Sequence, residues 1–514
     1  MIRPLVQHLL STGITRLVVF AIGTALQAQP EHALAGIPGT QGPGVQSKRP
    51  NVILILCDDL GYGDVAGFGF EDPVTHTPHI DRLATEGVRL TRFLAPMPYC
   101  APSRASLLTG RYPYRNGIVY NPTPDRGIDD YGLDPAEVTV AEVLRGIGYR
   151  TACVGKWHLG HKARWLPTRQ GFDQYLGILY SNDMCPVQLV ENEDVVAYPV
   201  IQAQLTQRYT QASEEFIRAA AAASQPFFLY LAHAMPHKPL AASEDFYTPD
   251  TPDDLYEDVI RELDWSVGQI LKTLRQLGID QNTLLIFTSD NGATYGGDNG
   301  GLRGRKHSSW DGGLRVPCIV RWPGHLPAGI ANASLASIVD IFPTLLHIAG
   351  AALPTDRVID GKNLWPLLMS EEAPSAHPFL ITMRADRLMT VHSGPWKLHV
   401  HAQRKDPIPE DPEAWKDPRA PDGVTIIAPF EQYTPASYPG LTSGPDPKAW
   451  QLFNVVDDPG EQTDVSAYHP DVVQRLKSYA QSTMAEMRTF PRPQSTPRFK
   501  RNRGGRLDFW ESGK

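Results

Sequence analysis

Asn51-Val52-Ile53-Leu54-Ile55-Leu56 is a nearly continuous apolar run that leads directly into Cys57-Asp58-Asp59. Such a run is typical of a strand buried on both faces, as in the middle of a parallel sheet. Similar runs occupy 149–154, 226–232, 283–288 and 316–321. Helical patterns alternate with them, at 79–86, 138–146, 206–223 and 255–277. This alternation predicts an α/β domain with a mixed, mostly parallel sheet flanked by helices.

The pattern changes after about residue 375. Short strand candidates follow at 380–383, 388–392, 396–400 and 450–456, and an amphipathic helix at 469–487. We therefore predict a large domain over 49–375 and a smaller C-terminal subdomain over 376–490, with an antiparallel sheet and a helix. The proline-rich segment 402–449 is interpreted as a long loop beside the functional site, and 491–514 as a basic, solvated tail.

The first residues have the pattern of a signal peptide. Arg3 and Arg16 flank the apolar run 17–26, and small residues follow it. The pattern predicts a signal peptide over 1–28 and a linker over 29–48, with cleavage after Ala28 or Ala35. The apolar run is too short for a permanent membrane span. We expect an exported protein, periplasmic or secreted, or lysosomal in a eukaryote.

Composition narrows the class of protein further. The chain has 514 residues, enough for two domains, and a formal net charge of −8. That charge argues against nucleic acid as a partner, because such binding depends on a basic surface. A local basic pocket for a small anion remains compatible with it. Among five cysteines, Cys57, Cys153 and Cys318 fit buried packing positions and Cys185 a loop; one disulfide among these four stays open.

Polar residues follow the predicted strands where each strand ends. Asp58-Asp59 follows the first run, and Asp290-Asn291-Gly292 follows 283–288. Since the carboxyl ends of parallel strands share one sheet edge, chemistry is expected there. Carboxylate and amide oxygens suit a hard divalent cation, Ca²⁺ above all, with Mg²⁺ an alternative. Each group also fits an ordinary turn or helix cap.

One segment carries a specific resemblance. Cys100-Ala101-Pro102-Ser103-Arg104, followed by Leu107-Leu108-Thr109-Gly110-Arg111, resembles the signature of the sulfatase family. The run Gly148–His158 is similar to the family's second signature, and His237 after Pro236 matches its substrate-facing histidine. Lys306 precedes Asp311-Gly312-Gly313, where the family more often has glutamate. Within the family the chain looks most like arylsulfatase A and the N-acetylgalactosamine-6-sulfatases.

The resemblance implies a fold shared with alkaline phosphatases and a specific mechanism. A formylglycine-generating enzyme would oxidise Cys100 to formylglycine, an aldehyde whose hydrate attacks the sulfur of a sulfate ester. Arg104 would stabilise the hydrate and His158 would take its proton. Lys156, His237 and Lys306 would hold the sulfate, the latter two near the leaving oxygen. The metal ligands implied are Asp58, Asp59, Asp290, Asn291 and the modified Cys100.

Two other functions fit the same residues. A phosphate or phosphonate ester hydrolase of the same superfamily would use the same groups on phosphorus. A catalytically inactive protein could bind sulfated glycans, although a binder has no need for the Cys-x-Pro-x-Arg pattern. The substrate expected from the resemblance is a sulfated small molecule or a sulfated glycan.

Overall fold

A computed structural model describes residues 49–69, 76–123, 130–184, 187–247, 252–403 and 438–490. The predicted signal peptide, the linker, the basic tail, Cys185 and most of the proline-rich segment lie outside the described residues. The elements below all belong to one compact unit.

The strands of the described residues, in chain order, are β1 (Asn51–Cys57), β2 (Val88–Leu90), β3 (Phe93–Leu94), β4 (Arg150–Gly155), β5 (Gln174–Ile178), β6 (Leu189–Glu191), β7 (Asp194–Ala197), β8 (Phe227–Ala232), β9 (Thr283–Ser289), β10 (Arg315–Val316), β11 (Cys318–Arg321), β12 (Ile330–Asn332), β13 (Ala336–Ser337), β14 (Leu380–Arg384), β15 (Arg387–Ser393), β16 (Trp396–His399) and β17 (Gln451–Asn454). The helices are α1 (Pro78–Glu86), α2 (Cys100–Thr109), α3 (Pro113–Asn116), α4 (Val140–Gly146), α5 (Leu205–Ala222), α6 (Pro252–Gln276), α7 (Asp311–Leu314), α8 (Ile341–Ala349), α9 (Trp365–Met369) and α10 (Pro470–Met487).

The large sheet has the order β12-β2-β11-β9-β1-β8-β4-β5-β6-β7. Its central strands β9, β1, β8, β4 and β5 are parallel, and Leu54 of β1 lies between Tyr230 and Ile286. The strands β11, β6 and β7 run antiparallel to their inner neighbours. The predicted mixed, mostly parallel sheet is confirmed.

Strand β1 is buried on both faces, which explains its uninterrupted apolar run. Val52, Leu54 and Leu56 belong to the core under α2, α4 and α8. Ile53 and Ile55 belong to the core under α1, α5 and α6 on the other face. Because alternate side chains of a strand point to opposite faces, both sets must be apolar. Helices therefore cover both sides of the sheet, as predicted.

The run 316–321 is not one strand, contrary to the prediction. Pro317 has no N–H to donate to a sheet ladder, and it separates β10 from β11. Strand β10 pairs with β3 in a small three-stranded sheet, whereas β11 pairs with β9 at the side of the large sheet. At this break, a few residues after the segment that carries Lys306, the chain passes from the small sheet back into the large sheet.

The C-terminal strands β14 to β17 form an antiparallel sheet in sequence order, with α10 packed on it through Leu476 and Ala480. This agrees with the predicted architecture; the boundary at 375 stays a prediction. A buried charge cluster joins this sheet to α7. Lys397 Nζ on β16 lies 2.7 Å from Asp311 Oδ1 and 2.9 Å from Glu461 Oε1. These contacts give Asp311 a structural role.

We expect Lys397→Met to destabilise the protein by about 3–5 kcal/mol, because it leaves the buried carboxylates of Asp311 and Glu461 without their cation. Urea unfolding of both proteins measures the difference in free energy. The matched control is Lys272→Met, since Lys272 is an exposed lysine of α6. A loss below about 1 kcal/mol, the range of exposed ion pairs, would show that the cluster does not stabilise the fold.

Two further expectations concern cysteines and membranes. Cys57, Cys153 and Cys318 are buried and unpaired, so the described residues contain no disulfide, and Cys185 is not described. Across the described ranges, none of the helices combines the length and the apolar character that a bilayer crossing requires.

Candidate active site

The carboxyl ends of four neighbouring strands bring the predicted residues together. Asp58 follows β1, Lys156 follows β4 and Asp290 follows β9, while His237 lies five residues after β8. Backbone hydrogen bonds extend the sheet pairing into these ends: Asp58 N donates to Met235 O at 3.1 Å, and Lys156 N donates to Ala232 O at 2.8 Å. The side chains therefore converge at one edge of the sheet.

Cys100 is the first residue of α2 and is fully buried. Its Sγ lies 3.3 Å from Asp58 Oδ1 and 3.5 Å from Lys306 Nζ. Burial, reinforced by the charge of Asp58, raises the pKa of this thiol well above its usual value. Since the thiolate is the nucleophilic form of cysteine, the unmodified side chain is poorly suited to attack. Cys100 therefore lies at the centre of the site, but its unmodified thiol is a poor nucleophile there.

Four acidic or thiol groups form a cluster that fits a metal ion. One ligand atom from each of Asp58, Asp59, Cys100 and Asp290 lies within 4.8 Å of the others. Asn291 Nδ2 donates to Asp59 Oδ1 at 2.7 Å, and the buried Asn291 Oδ1 has no hydrogen-bond partner. A buried carbonyl oxygen without a partner is costly unless something binds it. The carboxylate and amide oxygens of this cluster are the ligands that a hard divalent cation prefers.

Three cations neutralise part of this acidic cluster. Arg104 Nε donates to Asp290 Oδ2 at 2.9 Å, Lys156 Nζ pairs with Asp58, and Lys306 Nζ lies 2.7 Å from Asp59 Oδ2. Arg104 also reaches Asp58 Oδ1 at 3.4 Å, so its guanidinium is directed at carboxylates. Each predicted cation therefore lies in the site.

The carboxylates differ in how well these cations stabilise their charge. Burial works against ionisation of Asp58, but Lys156 holds the pKa of Asp58 well below its usual range. For Asp290, burial and the neighbouring Asp58 charge raise the pKa to about 7 in spite of Arg104. A divalent cation beside Asp290 would favour its ionised form, so the charge balance also fits a metal.

Two of the predicted histidines lie in the same cavity. His237 Nε2 is 3.7 Å from Asp59 Oδ2, and its Nδ1 is 2.5 Å from Lys238 O. His158 Nε2 is 3.2 Å from Pro122 O, while its Nδ1 has no partner. Burial lowers the pKa of both, aided by Lys306 for His237 and Lys156 for His158, which favours neutral rings able to accept a proton. His233, at the end of β8, instead contacts Ser266 outside the site.

Two of the site residues have an uncommon backbone conformation. Asp59 has φ of 68° and His158 has φ of 61°. Left-handed conformations are uncommon for residues other than glycine, and they cluster at functional sites when the surroundings hold them. Here Asp59 N donates to Asp290 Oδ1 at 3.3 Å and His158 N donates to Leu179 O at 3.1 Å. The backbone thus fixes both side chains in place.

Sequence reasoning missed residues that complete the site. Ser181 Oγ accepts from Lys156 Nζ at 3.0 Å and lies 3.4 Å from His237 Nδ1, so it bridges two of the predicted groups. A cavity of about 300 Å³ opens over the site. Residues in its wall that we did not single out as site residues include Tyr99, Asn121, Asp183, Lys238, Tyr295 and Arg305. Lys238 and Arg305 could have been predicted, because each is a basic residue next to a predicted site residue, His237 or Lys306.

The chain is similar in sequence to proteins of known function. The family model described as Sulfatase matches residues 50–351. N-acetylgalactosamine-6-sulfatase of Rattus norvegicus is 37% identical over 415 residues, which cover 74% of this chain and 77% of the rat protein. Steryl-sulfatase of Mus musculus is 33% identical in an alignment that covers 89% of this chain and 85% of the mouse protein.

A solved structure agrees with these relatives. The PsFucS1 sulfatase from Pseudoalteromonas sp. superposes with a TM-score of 0.68 and 26% sequence identity, covering 87% of this chain and 92% of that protein. The family model spans more than half of the chain, and the relatives are sulfuric ester hydrolases. The chain belongs to the sulfatase family, with its alkaline-phosphatase-like fold, and is a hydrolase of sulfate esters.

Proposed function

We propose that this sulfatase removes sulfate from a sulfated glycan, using a formylglycine made from Cys100 and a divalent cation. One observation carries the proposal: Cys100 Sγ is fully buried between Asp58 and Lys306, inside the acidic cluster. Substrate support comes from the rat relative, which is named for N-acetylgalactosamine 6-sulfate. Phosphate or phosphonate esters are the alternative substrates.

The nucleophile would be one hydroxyl of the hydrated aldehyde at position 100. His158 is neutral in this cavity and would accept the proton of that hydroxyl. After attack, the second hydroxyl can lose its proton and reform the aldehyde, which expels the sulfate without water attacking a sulfated enzyme. Arg104, four residues on in the same helix, would keep Asp58 and Asp290 in place beside the hydrate.

The metal ligands would be Asp58, Asp59, Asp290, Asn291 and the modified residue 100. We propose Ca²⁺, since the side chains offer oxygen atoms from several directions; Mg²⁺ fits the same ligand chemistry. When bound, the cation supplies positive charge that offsets the charge of the sulfate oxygens.

Lys156, His237 and Lys306 would bind the remaining sulfate oxygens. Burial would lower the pKa of Lys306, but Asp59 raises it above its usual value, so Lys306 stays a cation. Fixed charges in a buried site stabilise charge that develops in the transition state. Lys306 and His237 both lie beside Asp59. Both would donate hydrogen bonds to the leaving oxygen. His237 would supply the proton once the negative charge of the bound sulfate ester raises its lowered pKa.

The conversion of Cys100 to formylglycine implies a modifying enzyme and fits an exported protein. Cys100 is fully buried in the folded chain, so a formylglycine-generating enzyme would have to act before α2 packs into the core. Such a step fits export, which the signal pattern of residues 1–28 predicts. We propose that the mature enzyme is periplasmic or secreted, or lysosomal in a eukaryotic host.

The experiment that tests this function compares para-nitrophenyl sulfate with para-nitrophenyl phosphate on one enzyme preparation. We expect kcat/KM for the sulfate to exceed that for the phosphate by about tenfold or more, because the chain belongs to a family whose members hydrolyse sulfate esters. N-acetylgalactosamine 6-sulfate then tests the glycan. A preference for phosphate would reverse the assignment, and glycan binding without sulfate release would indicate an inactive binder.

A further inference from the structure

One wall of the cavity carries positive charge that the mechanism does not use. Arg305 precedes Lys306 in the chain, and Lys238 follows His237, so each stands next to a sulfate-binding residue. Both line the same cavity as Asp59. Lys238 Nζ lies 3.8 Å from the place that a Cβ would take at Gly296. Both side chains thus lie beside the 295–296 turn.

Arg305 is held in position by aromatic rings. Its Cζ lies 4.6 Å from the centroid of the Tyr295 ring and 5.9 Å from that of Tyr438. Tyr295 is itself 95% buried, so it is a fixed platform. A guanidinium stacked on tyrosine keeps its in-plane N–H donors directed away from the ring, where they can meet a planar or tetrahedral anion.

The hydrogen-bonding capacity of Arg305 is largely unused. Its buried Nε has no partner, and Nη1 makes one long contact of 3.5 Å to Lys306 O. Among the described acidic residues, none lies within ion-pair distance of Arg305. A half-buried guanidinium normally finds a carboxylate or several carbonyls, because its desolvation is otherwise uncompensated. The unused donors point to an anion that is supplied by the ligand.

The charge of the cavity supports the same conclusion. Lys306 is already paired with Asp59 at 2.7 Å. Of the other lining residues, Lys238 and Arg305 are basic and Asp183 is acidic. Burial lowers the pKa of Lys238 to about 7, so the permanent positive charge on this wall is that of Arg305. An anionic substituent would be attracted to Arg305 and would favour the charged form of Lys238 beside it.

We propose that Arg305, together with Lys238, forms a second anion subsite, so that the preferred substrate carries a sulfate ester and a further carboxylate or sulfate group. This inference rests on the proposed function, because it assumes that the sulfate ester enters the cavity. Arg305 is a specificity residue in this account: it would bind a part of the substrate that does not react.

The test uses matched substrates that differ only in that second charge. Para-(sulfooxy)phenylacetate, its propionate and butyrate homologues and their methyl esters have nearly the same leaving group but differ by one carboxylate. We expect kcat/KM for the best acid to exceed that of its ester by about tenfold or more at low salt, as one charge-assisted contact allows. A sulfonate series then shows whether carboxylate or sulfate is preferred; either preference supports the subsite.

Variants assign the effect to Arg305. Arg305→Met keeps an apolar stem on Tyr295 and should bring the acid-to-ester ratio close to one, whereas Arg305→Lys should retain part of it. The control Arg218→Met, on the exposed surface of α5, should keep the full ratio. Using a ratio cancels any general loss of activity or folded protein.

Three results would overturn the inference. The acid-to-ester ratio could stay at one or below for every homologue, or remain high in Arg305→Met. A high ratio that does not fall when salt is raised from about 0.05 to 0.5 M would show that charge is not its cause. If neither acid nor ester is hydrolysed, the proposed function fails as well, and this outcome is distinct from hydrolysis without selectivity.

Discussion

The variant Cys100→Ala is expected to hydrolyse para-nitrophenyl sulfate at least about 10⁴-fold more slowly than the unaltered sequence, because it lacks the side chain from which the nucleophile is made. Removal of a catalytic nucleophile in a hydrolase costs this much or more. The fold should persist, since alanine is a good helix former and the change removes a single sulfur atom from α2. Steady-state kinetics and circular dichroism measure the two effects.

The control for this variant is Cys318→Ala. Cys318 is also fully buried, but it lies on β11, outside the acidic cluster. It should retain nearly full activity. Cys100→Ser, produced in a host whose modifying enzyme acts only on cysteine, should be almost as inactive as Cys100→Ala. Turnover by Cys100→Ala at even a tenth of the normal rate would exclude the aldehyde mechanism.

The second large effect is expected from the metal site. Asp59→Asn removes the carboxylate that pairs with Lys306 and faces Asn291. We expect kcat/KM to fall on the order of 10³-fold, because cation binding and the position of Lys306 contribute several kcal/mol to transition-state stabilisation. Chelation of the unaltered enzyme should cause a comparable loss that added Ca²⁺ or Mg²⁺ reverses.

A binding measurement separates this effect from misfolding. Ca²⁺ should raise the thermal midpoint of the unaltered enzyme and have a much smaller effect on Asp59→Asn. Asp356→Asn is the control, since Asp356 is an exposed aspartate whose side chain pairs with Arg357. If chelated enzyme keeps its full activity, or Asp59→Asn binds Ca²⁺ as the unaltered enzyme does, the metal assignment is wrong.

Much of the fold follows from local patterns. The runs at β1, β4, β8 and β9 are mostly apolar because both faces of the sheet are covered, and this pattern is local to each strand. The change from the small sheet to the large sheet at Pro317 was not predicted, because the apolar run continues across this residue. Partner choice decides that β10 joins β3 while β11 joins β9, and such pairing depends on residues far apart in the chain.

The residues of the candidate site also differ in whether the sequence alone could predict them. Asp58, Lys156 and Asp290 were predictable because each directly follows a buried strand. Ser181 and Tyr295 were not, since each lies in a loop without a distinctive pattern, and only the folded chain brings Ser181 to Lys156 and Tyr295 to Arg305. Arg305 was visible next to Lys306, but its lack of an acidic partner is a property of the three-dimensional structure.

The most direct test of the account is mass spectrometry of the tryptic peptide Phe93–Arg104 from active enzyme. We expect residue 100 to have lost its sulfur and gained a carbonyl that reacts with a hydrazide probe. The extent of conversion should rise and fall with specific activity between preparations. An intact thiol at residue 100 in fully active enzyme would contradict the account.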